Sequence, residues 1–205
     1  MTTAFPVDAL RTLPTTITYL EMSARPARPP RPAPVGKVAL LRAERPPRSF
    51  YLWLYRSVGR DWNWTDRLVW PEDHLLDVIH HPNVEIIVCH VGGVPAGFAE
   101  LDFRRPGTSE LALFGFLPEF QGKGYGGYFL DHVIDAMWRP GIDLALVDTN
   151  VRDHPRALVM YQKAGFRVIR REEAWLIPDS HFQGAFDLPQ SAEAFNPQGG
   201  EEEAG

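Results

Sequence analysis

The sequence predicts a mixed α+β fold of the α/β class, a central mixed sheet flanked by helices, and three observations carry that prediction. Two strand-forming runs, Val84 to Val91 and Val94 to Phe103, flank Gly92-Gly93, a dipeptide suited to the left-handed dihedrals of a tight antiparallel hairpin. Further along, strand-like and helical periods alternate, and a helix between two strands implies a parallel crossover. Between these regimes the run Gln121-Gly122-Lys123-Gly124-Tyr125-Gly126-Gly127 leads from a strand straight into a helix. Its glycines let the backbone come close to a ligand, so that successive N–H groups converge on an anion at the positive end of the helix; such a turn is built to hold phosphate.

Taken in order, Thr16 to Met22 and Lys37 to Ala43 are strand-like. Between them, residues 23–36 alternate Arg25, Arg28 and Arg31 with prolines at 26, 29, 30, 32 and 34, which favours an extended polyproline-like connector. The expectation is a hairpin added at one sheet edge. From Pro47 the period turns helical, with Tyr51, Leu54, Tyr55 and Val58 at i, i+3, i+4 and i+7, and a second short helix follows Pro71 and ends before His81-Pro82. After the hairpin, Glu110 to Phe116 makes a strand. Leu130, Val133, Ile134, Met137 and Trp138 mark the apolar face of the helix that follows the glycine turn, and Pro140-Gly141 stops it. Ile142 to Asp148 reads as a strand buried on both faces, followed by a helix near Pro155 to Ala164 and a last strand region from Phe166 to Ile177.

With 205 residues, 44% of them hydrophobic, the chain is long enough for one compact core. The reading is a single domain over residues 1–178 and a polar, low-complexity tail, expected to be disordered, over 179–205. A formal charge of −5 argues against a nucleic-acid partner, which needs clustered cations, although 18 of the 21 basic residues are arginine. No apolar run reaches membrane-spanning length, and Met1-Thr2-Thr3-Ala4-Phe5 lacks the basic and apolar regions of a secretory signal, so no membrane partner is expected. Cys89 is the single cysteine, lies within an apolar run and reads as a buried small hydrophobe; a reducing cytoplasmic location fits. No metal site is expected.

Three phosphate-binding patterns compete for the glycine turn. A Walker loop needs GxxxxGK followed by Ser or Thr and is excluded. A dinucleotide fingerprint, GxGxxG, is met by Gly122, Gly124 and Gly127, with Asp148 near the place of a ribose-binding acid, but Pro118 to Gln121 intervene between strand and turn and the lead-in strand looks antiparallel. The third pattern, QxxGxG, is met by Gln121, Gly124 and Gly126. A second block follows, Asp153 to Phe166, in which Ala157, Tyr161, Lys163, Gly165 and Phe166 fit A-x-x-x-Y-x-K-x-G-F, and Ser109-Glu110-Leu111 precedes the turn at the matching interval. On these motifs the chain resembles the GNAT superfamily of acyl-CoA-dependent N-acetyltransferases, over roughly residues 84–177.

That resemblance implies a GNAT-like fold and an enzyme that moves an acetyl group from acetyl-CoA, its co-substrate, to a primary amine of a small molecule or peptide by direct attack. The alternative is a non-catalytic acyl-CoA-binding regulatory or partner-binding module. A homodimer stays open. The resemblance assigns the backbone of Gly122, Gly124, Tyr125, Gly126 and Gly127 to the CoA pyrophosphate, with Gln121 beside it. Lys123 either adds a charge-assisted contact or is a solvated loop cation. The main chain of Phe116 and Leu117 would pair with the pantetheine arm, and Asn150 would extend that pairing or simply serve a turn. His154 stands where many family members carry Asn; its local reading is a helix-start residue beside Asp153, an N-cap, and Pro155.

Tyr161 matches the family tyrosine that donates a proton to the departing thiolate, its other reading being a core tyrosine. Glu110 matches an acidic position used as the base in part of the superfamily, with Glu100, Asp102 or an ordered water as the other options. Trp62, Trp64, Asp61 and Asp66, between the first two helices, could receive a cationic amine, although tryptophans packed against the core are the plainer reading.

Overall fold

A computed structural model describes residues 7–182 of the chain. Seven strands form one sheet: β1 (Leu13–Met22), β2 (Val38–Arg42), β3 (Val84–Val91), β4 (Val94–Asp102), β5 (Thr108–Phe116), β6 (Leu144–Asn150) and β7 (Arg167–Leu176), in the spatial order β2-β3-β4-β5-β6-β1-β7. Four helices pack on it: α1 (Arg48–Gly59), α2 (Glu72–Ile79), α3 (Tyr125–Met137) and α4 (Ala157–Ala164). The β3/β4 hairpin turns at Gly92 and Gly93, whose φ values of 63° and 88° are the dihedrals that only glycine adopts freely. β5 and β6 run parallel across the α3 crossover; every other neighbouring pair is antiparallel.

The helices sort to two faces because alternate strand residues point to opposite sides. On one face Tyr51, Leu54 and Val58 of α1 and Leu75 of α2 bury Ile86, Val88 and Phe98. On the other, Phe129, Leu130, Val133 and Met137 of α3, with Tyr161 and Ala164 of α4, cover Leu20, Cys89, Leu101, Leu111 and Val147. One glycine lets the α1 layer come close and another makes room within the sheet. A Cβ on Gly115 would stand 2.4 Å from Cγ1 of Val58, and one on Gly97 would stand 2.4 Å from the carbonyl oxygen of Gly115.

The expected edge hairpin of the first two strands is not formed. β2 is one edge of the sheet, whereas β1 lies between β6 and β7, with Tyr19 opposite both Asp148 and Arg170. The reason is the connector, which carries the chain along α3 in the opposite direction: Arg25 pairs with Asp135 at 2.8 Å, Arg28 and Arg31 pair with Asp131 at 2.8 and 3.1 Å, and Arg31 donates to the carbonyl of Gly127 at 2.7 Å. These contacts put Arg25, Arg28 and Arg31 on the side of the connector that faces α3, where positions 127, 131 and 135 share one side of the helix. The crossover through α4 likewise returns the chain parallel to β6, but one strand further out, because β1 occupies the adjoining place.

β6 is not buried on both faces. Ala145, Val147 and Thr149 are buried on the α3 side, while Asp148 on the opposite face is open to solvent. Beyond residue 178, Asp179–Phe182 form a short 3-10 turn in which Asp179 accepts from the Arg56 guanidinium and donates its N–H to Asn63 at 3.2 Å. The rest of the expected tail, 183–205, lies outside the described residues. Among the described residues no helix is long and apolar enough to cross a membrane.

Candidate active site

The β5/β6 ladder pairs Thr108 through Leu111 with Leu144 through Val147 and then stops, although both strands continue. A bulge opposite Glu100 and Leu101 leaves Ala112 as an extra residue of β5 and re-aims the strand from Leu113 onward. Past Leu111 the two strands part, and a cavity of about 570 Å³ opens between them. Its walls are Ala112 to Phe116 of β5, Asp148 and Asn150 of β6, Met160 and Tyr161 of α4, the glycine turn, and the segment from Trp62 to Asp66 beyond α1.

The glycine turn follows a 3-10 turn at Pro118–Phe120, and Gly124 caps α3 with φ of 87°. Gly122 also has positive φ, 72°, and Cβ atoms built on Gly122, Gly124 and Gly126 would meet nothing within 4 Å. The glycines are therefore needed for backbone conformation and access, and the N-terminal amides of α3, free of intrahelical partners, face open space beside the cavity. Gln121 ties the turn to the strand by donating from Nε2 to the Phe116 carbonyl at 3.0 Å. This open, amide-lined cradle continuous with the strand gap fits the pyrophosphate and pantetheine of a CoA thioester.

Of the residues singled out in the sequence, Phe116, Gln121, Gly122, Gly124, Gly126, Gly127, Asn150, Tyr161, Trp62, Trp64 and Asp66 all line the cavity. Asp61, Glu100, Asp102, Glu110, Leu117 and the side chains of Lys123 and Tyr125 are not on its wall. Leu117 donates its N–H to Ala96 at 2.9 Å, accepts from Phe120 and packs against the α1/α2 cluster, so its backbone has no free group for a ligand. Lys123 sits with Nζ 5.8 Å from the Phe120 ring, and Tyr125 stacks on Phe116. Glu110 lies half-buried on the α1/α2 side of β5, opposite Asp102.

The acidic side chains are in very different states. Glu100, 1% exposed, accepts from Tyr51 at 2.6 Å and from Arg67 at 2.7 Å, a closed structural pair. Asp102 is chelated by Arg104, which outweighs burial and holds its carboxyl below the usual range. Asp66 is paired with Arg11 at 2.6 Å. Asp153 accepts from Trp64 Nε1, Thr149 Oγ1 and the Asn150 N–H, so it locks the turn after β6 and does not cap α4, which begins only at Ala157 after Arg156. Trp62 meets the His154 ring edge-on at 5.2 Å, and Trp64 packs on Tyr55 and Phe98. Burial, then the charge of Asp102, raises Glu110. Asp148, exposed to the cavity yet surrounded by its protein walls, is raised to about 6, by that desolvation first and then by Glu110 and Asp153, with Arg170 opposing.

Tyr161 is 5% exposed and stacks edge-on against Phe166 at 6.2 Å. Burial first, then Asp153 and Asp148, pushes its phenol far above the ordinary range, and no hydrogen bond from a described residue contributes. Tyr161 thus stands on the cavity wall with no hydrogen-bond partner for its hydroxyl among the described residues. Sequence reading weighed Asp148 only as the ribose-binding acid of the dinucleotide pattern and missed its place on this wall, which an acid closing an otherwise apolar run could have signalled.

A sequence model described as the acetyltransferase (GNAT) family matches residues 41–166, more than half of the chain. No curated protein matches the sequence. Among solved structures, similar folds include a functionally unknown conserved protein from Staphylococcus epidermidis (17% identity, TM-score 0.56, covering 83% of this chain and 64% of that one). A GCN5-related N-acetyltransferase from Sphaerobacter thermophilus is 16% identical, with TM-score 0.53, over 82% of this chain and 53% of that one. An IAA acetyltransferase from Bacillus cereus is 22% identical, with TM-score 0.51, over 65% of this chain and 79% of that one. The chain thus spans less than two thirds of the length of the first two structures. The strand gap, the glycine cradle and the unpaired Tyr161 hydroxyl converge with the matched family model on one assignment: the chain belongs to the acetyltransferase (GNAT) family.

Proposed function

We propose that the chain transfers an acyl group, acetyl in the simplest case, from its CoA thioester to a primary amine on a small molecule or peptide. The observation that carries this is the continuity of one cavity from the glycine turn at the start of α3, through the parted β5 and β6, to Tyr161. Gly122 to Gly127 would hold the pyrophosphate by backbone N–H groups at the positive helix end. The unpaired edge of β5 past Ala112 would receive the pantetheine amides as a short added strand, with Asn150 across the gap. When bound, the thioester supplies the electrophilic carbonyl carbon.

Tyr161, held protonated by its surroundings, would give a proton to the sulfur as it leaves. A free carboxylate near the carbonyl would accept the proton that the amine must lose; Glu110 is the sequence candidate, and it sits on the same sheet face as Asp148 but back along the paired part of the ladder, off the cavity wall. Release of the CoA thiol from acetyl-CoA tests the reading, in the presence of a panel comprising putrescine, glycinamide and tyramine. The expected result is amine-dependent release by at least one of them. Thiol release no faster with any amine than without, despite acetyl-CoA binding, would favour the non-catalytic acyl-CoA-binding module instead.

A further inference from the structure

Three carboxylates line the cavity, and two of them are committed: Asp66 to Arg11, and Asp153 to Trp64, Thr149 and the Asn150 amide. The third, Asp148, has no hydrogen bond or ion pair with any described residue. It stands one residue past the last rung of the β5/β6 ladder, where the strands part. Val147 belongs to the α3/α4 core, so Asp148 points to the opposite face, and Tyr161 approaches from the α4 side. The two groups therefore flank the gap from opposite faces of the sheet, one where a nucleophile would enter and the other where a leaving group would depart.

We propose that Asp148 is the group that takes the proton from the acceptor, which arrives as an ammonium ion on the α1/α2 side, and that Glu110 acts through Asp148 as a positioning residue. This rests on the acyl-transfer reading above. The proton count closes. Asp148 takes one proton from the ammonium. The freed nitrogen lone pair then forms the C–N bond while the C–S electron pair returns to sulfur. Tyr161 gives its proton to that sulfur and regains one from the nitrogen, leaving an amide N–H, a CoA thiol and a protonated Asp148 that discharges to solvent.

The charged and titratable groups facing Asp148 are Glu110 from β5, Asp153 from the turn after β6, Tyr19 from β1, Arg170 from β7 and Tyr161 from α4. Desolvation by the surrounding protein, and then the two negative neighbours, hold its proton affinity near the working pH, where a general base is most effective, and Arg170, which lies over the Tyr19 ring at 3.6 Å, opposes them.

The test is the pH profile of kcat/KM on the fastest amine of the panel, in the parent, Asp148→Asn, Asp148→Glu and Glu110→Gln, with the rise in Tm produced by acetyl-CoA measured in each. The parent profile should rise through an apparent value of about 6. Asp148→Asn should keep the acetyl-CoA effect on Tm, lose that limb and lose roughly 100-fold in kcat at pH 7, the scale of a general base. Asp148→Glu should recover part of the rate and the limb. Glu110→Gln should move the limb to lower pH, because removing a neighbouring negative charge favours the Asp148 carboxylate. A parent-like limb in Asp148→Asn, or loss of the limb in Glu110→Gln with Asp148→Asn unaffected, would overturn the assignment and return the role to Glu110 or to water. A parent in which acetyl-CoA leaves Tm unmoved would remove the acyl-transfer reading beneath it.

Discussion

At Tyr161 burial and the nearby charges of Asp153 and Asp148 favour the neutral phenol, and the hydroxyl has no hydrogen-bond partner among the described residues to lose. A tyrosine kept for packing would be insensitive to the loss of that oxygen, whereas one that protonates a leaving thiolate would not. Tyr161→Phe is accordingly expected to leave Tm unchanged and the acetyl-CoA dissociation constant within about twofold of the parent and to lower kcat by roughly 100-fold, the range of general-acid catalysis. Stopped-flow thiol release and calorimetry measure the two quantities; an equal kcat would return Tyr161 to the core. The contrast between Tyr161 and Asp148 shows how much a sequence discloses at this scale. Tyr161 was legible because it sits at a fixed spacing from Lys163, Gly165 and Phe166 on one helix. Asp148 owes its state to Glu110 on one strand and Asp153 beyond another, a convergence that has no spacing to read.

Among the elements, β1 is the one whose place the sequence concealed. Alternation in Thr16 to Met22 shows which residues share a face, but neither pairing partner lies near it in the chain: Tyr19 meets Asp148 on one side and Arg170 on the other. The family match begins at residue 41, so β1 and its connector lie outside it, yet they complete the sheet beside β6. By contrast the β3/β4 hairpin and the α3 crossover were legible, since a glycine pair and a helix between strands constrain neighbours directly. The connector is held by the buried Asp131, which accepts from Arg28, from the Arg31 side chain and from the Arg31 backbone N–H at 2.9 Å. Asp131→Ala leaves that N–H and two guanidinium groups without their acceptor and should cost about 2 kcal/mol. Asp135→Ala removes only the exposed pair with Arg25 and should cost less than about 0.5 kcal/mol. Urea unfolding of the two variants checks the difference, and equal losses would mean that Asp131 does not anchor the strap.

Over the whole molecule, the cavity lies where the two cores meet: Val58 and Trp64 on its walls belong to the α1/α2 layer, and Phe116 and Tyr161 to the α3/α4 layer. A ligand that fills it touches both layers and exists only with the folded chain, so it must stabilise the fold by mass action. At a hundredfold excess over its dissociation constant, acetyl-CoA should add about 2.7 kcal/mol. For a domain of this size that corresponds to a rise in Tm of roughly 5–10 °C. Gly124→Val should abolish this rise, because a β-branched side chain is strained at φ 87° and would project into the open cradle at the start of α3. Strain alone would also lower the starting Tm, so the decisive comparison is Gly141→Val. Gly141 has the same φ of 87° and equally open surroundings, but it turns the chain between α3 and β6, away from the cavity walls. Both variants should therefore melt below the parent, and only Gly141→Val should regain the acetyl-CoA rise. If both lose it, the effect is a general loosening of the fold; if both keep it, the anion cradle is not at the glycine turn.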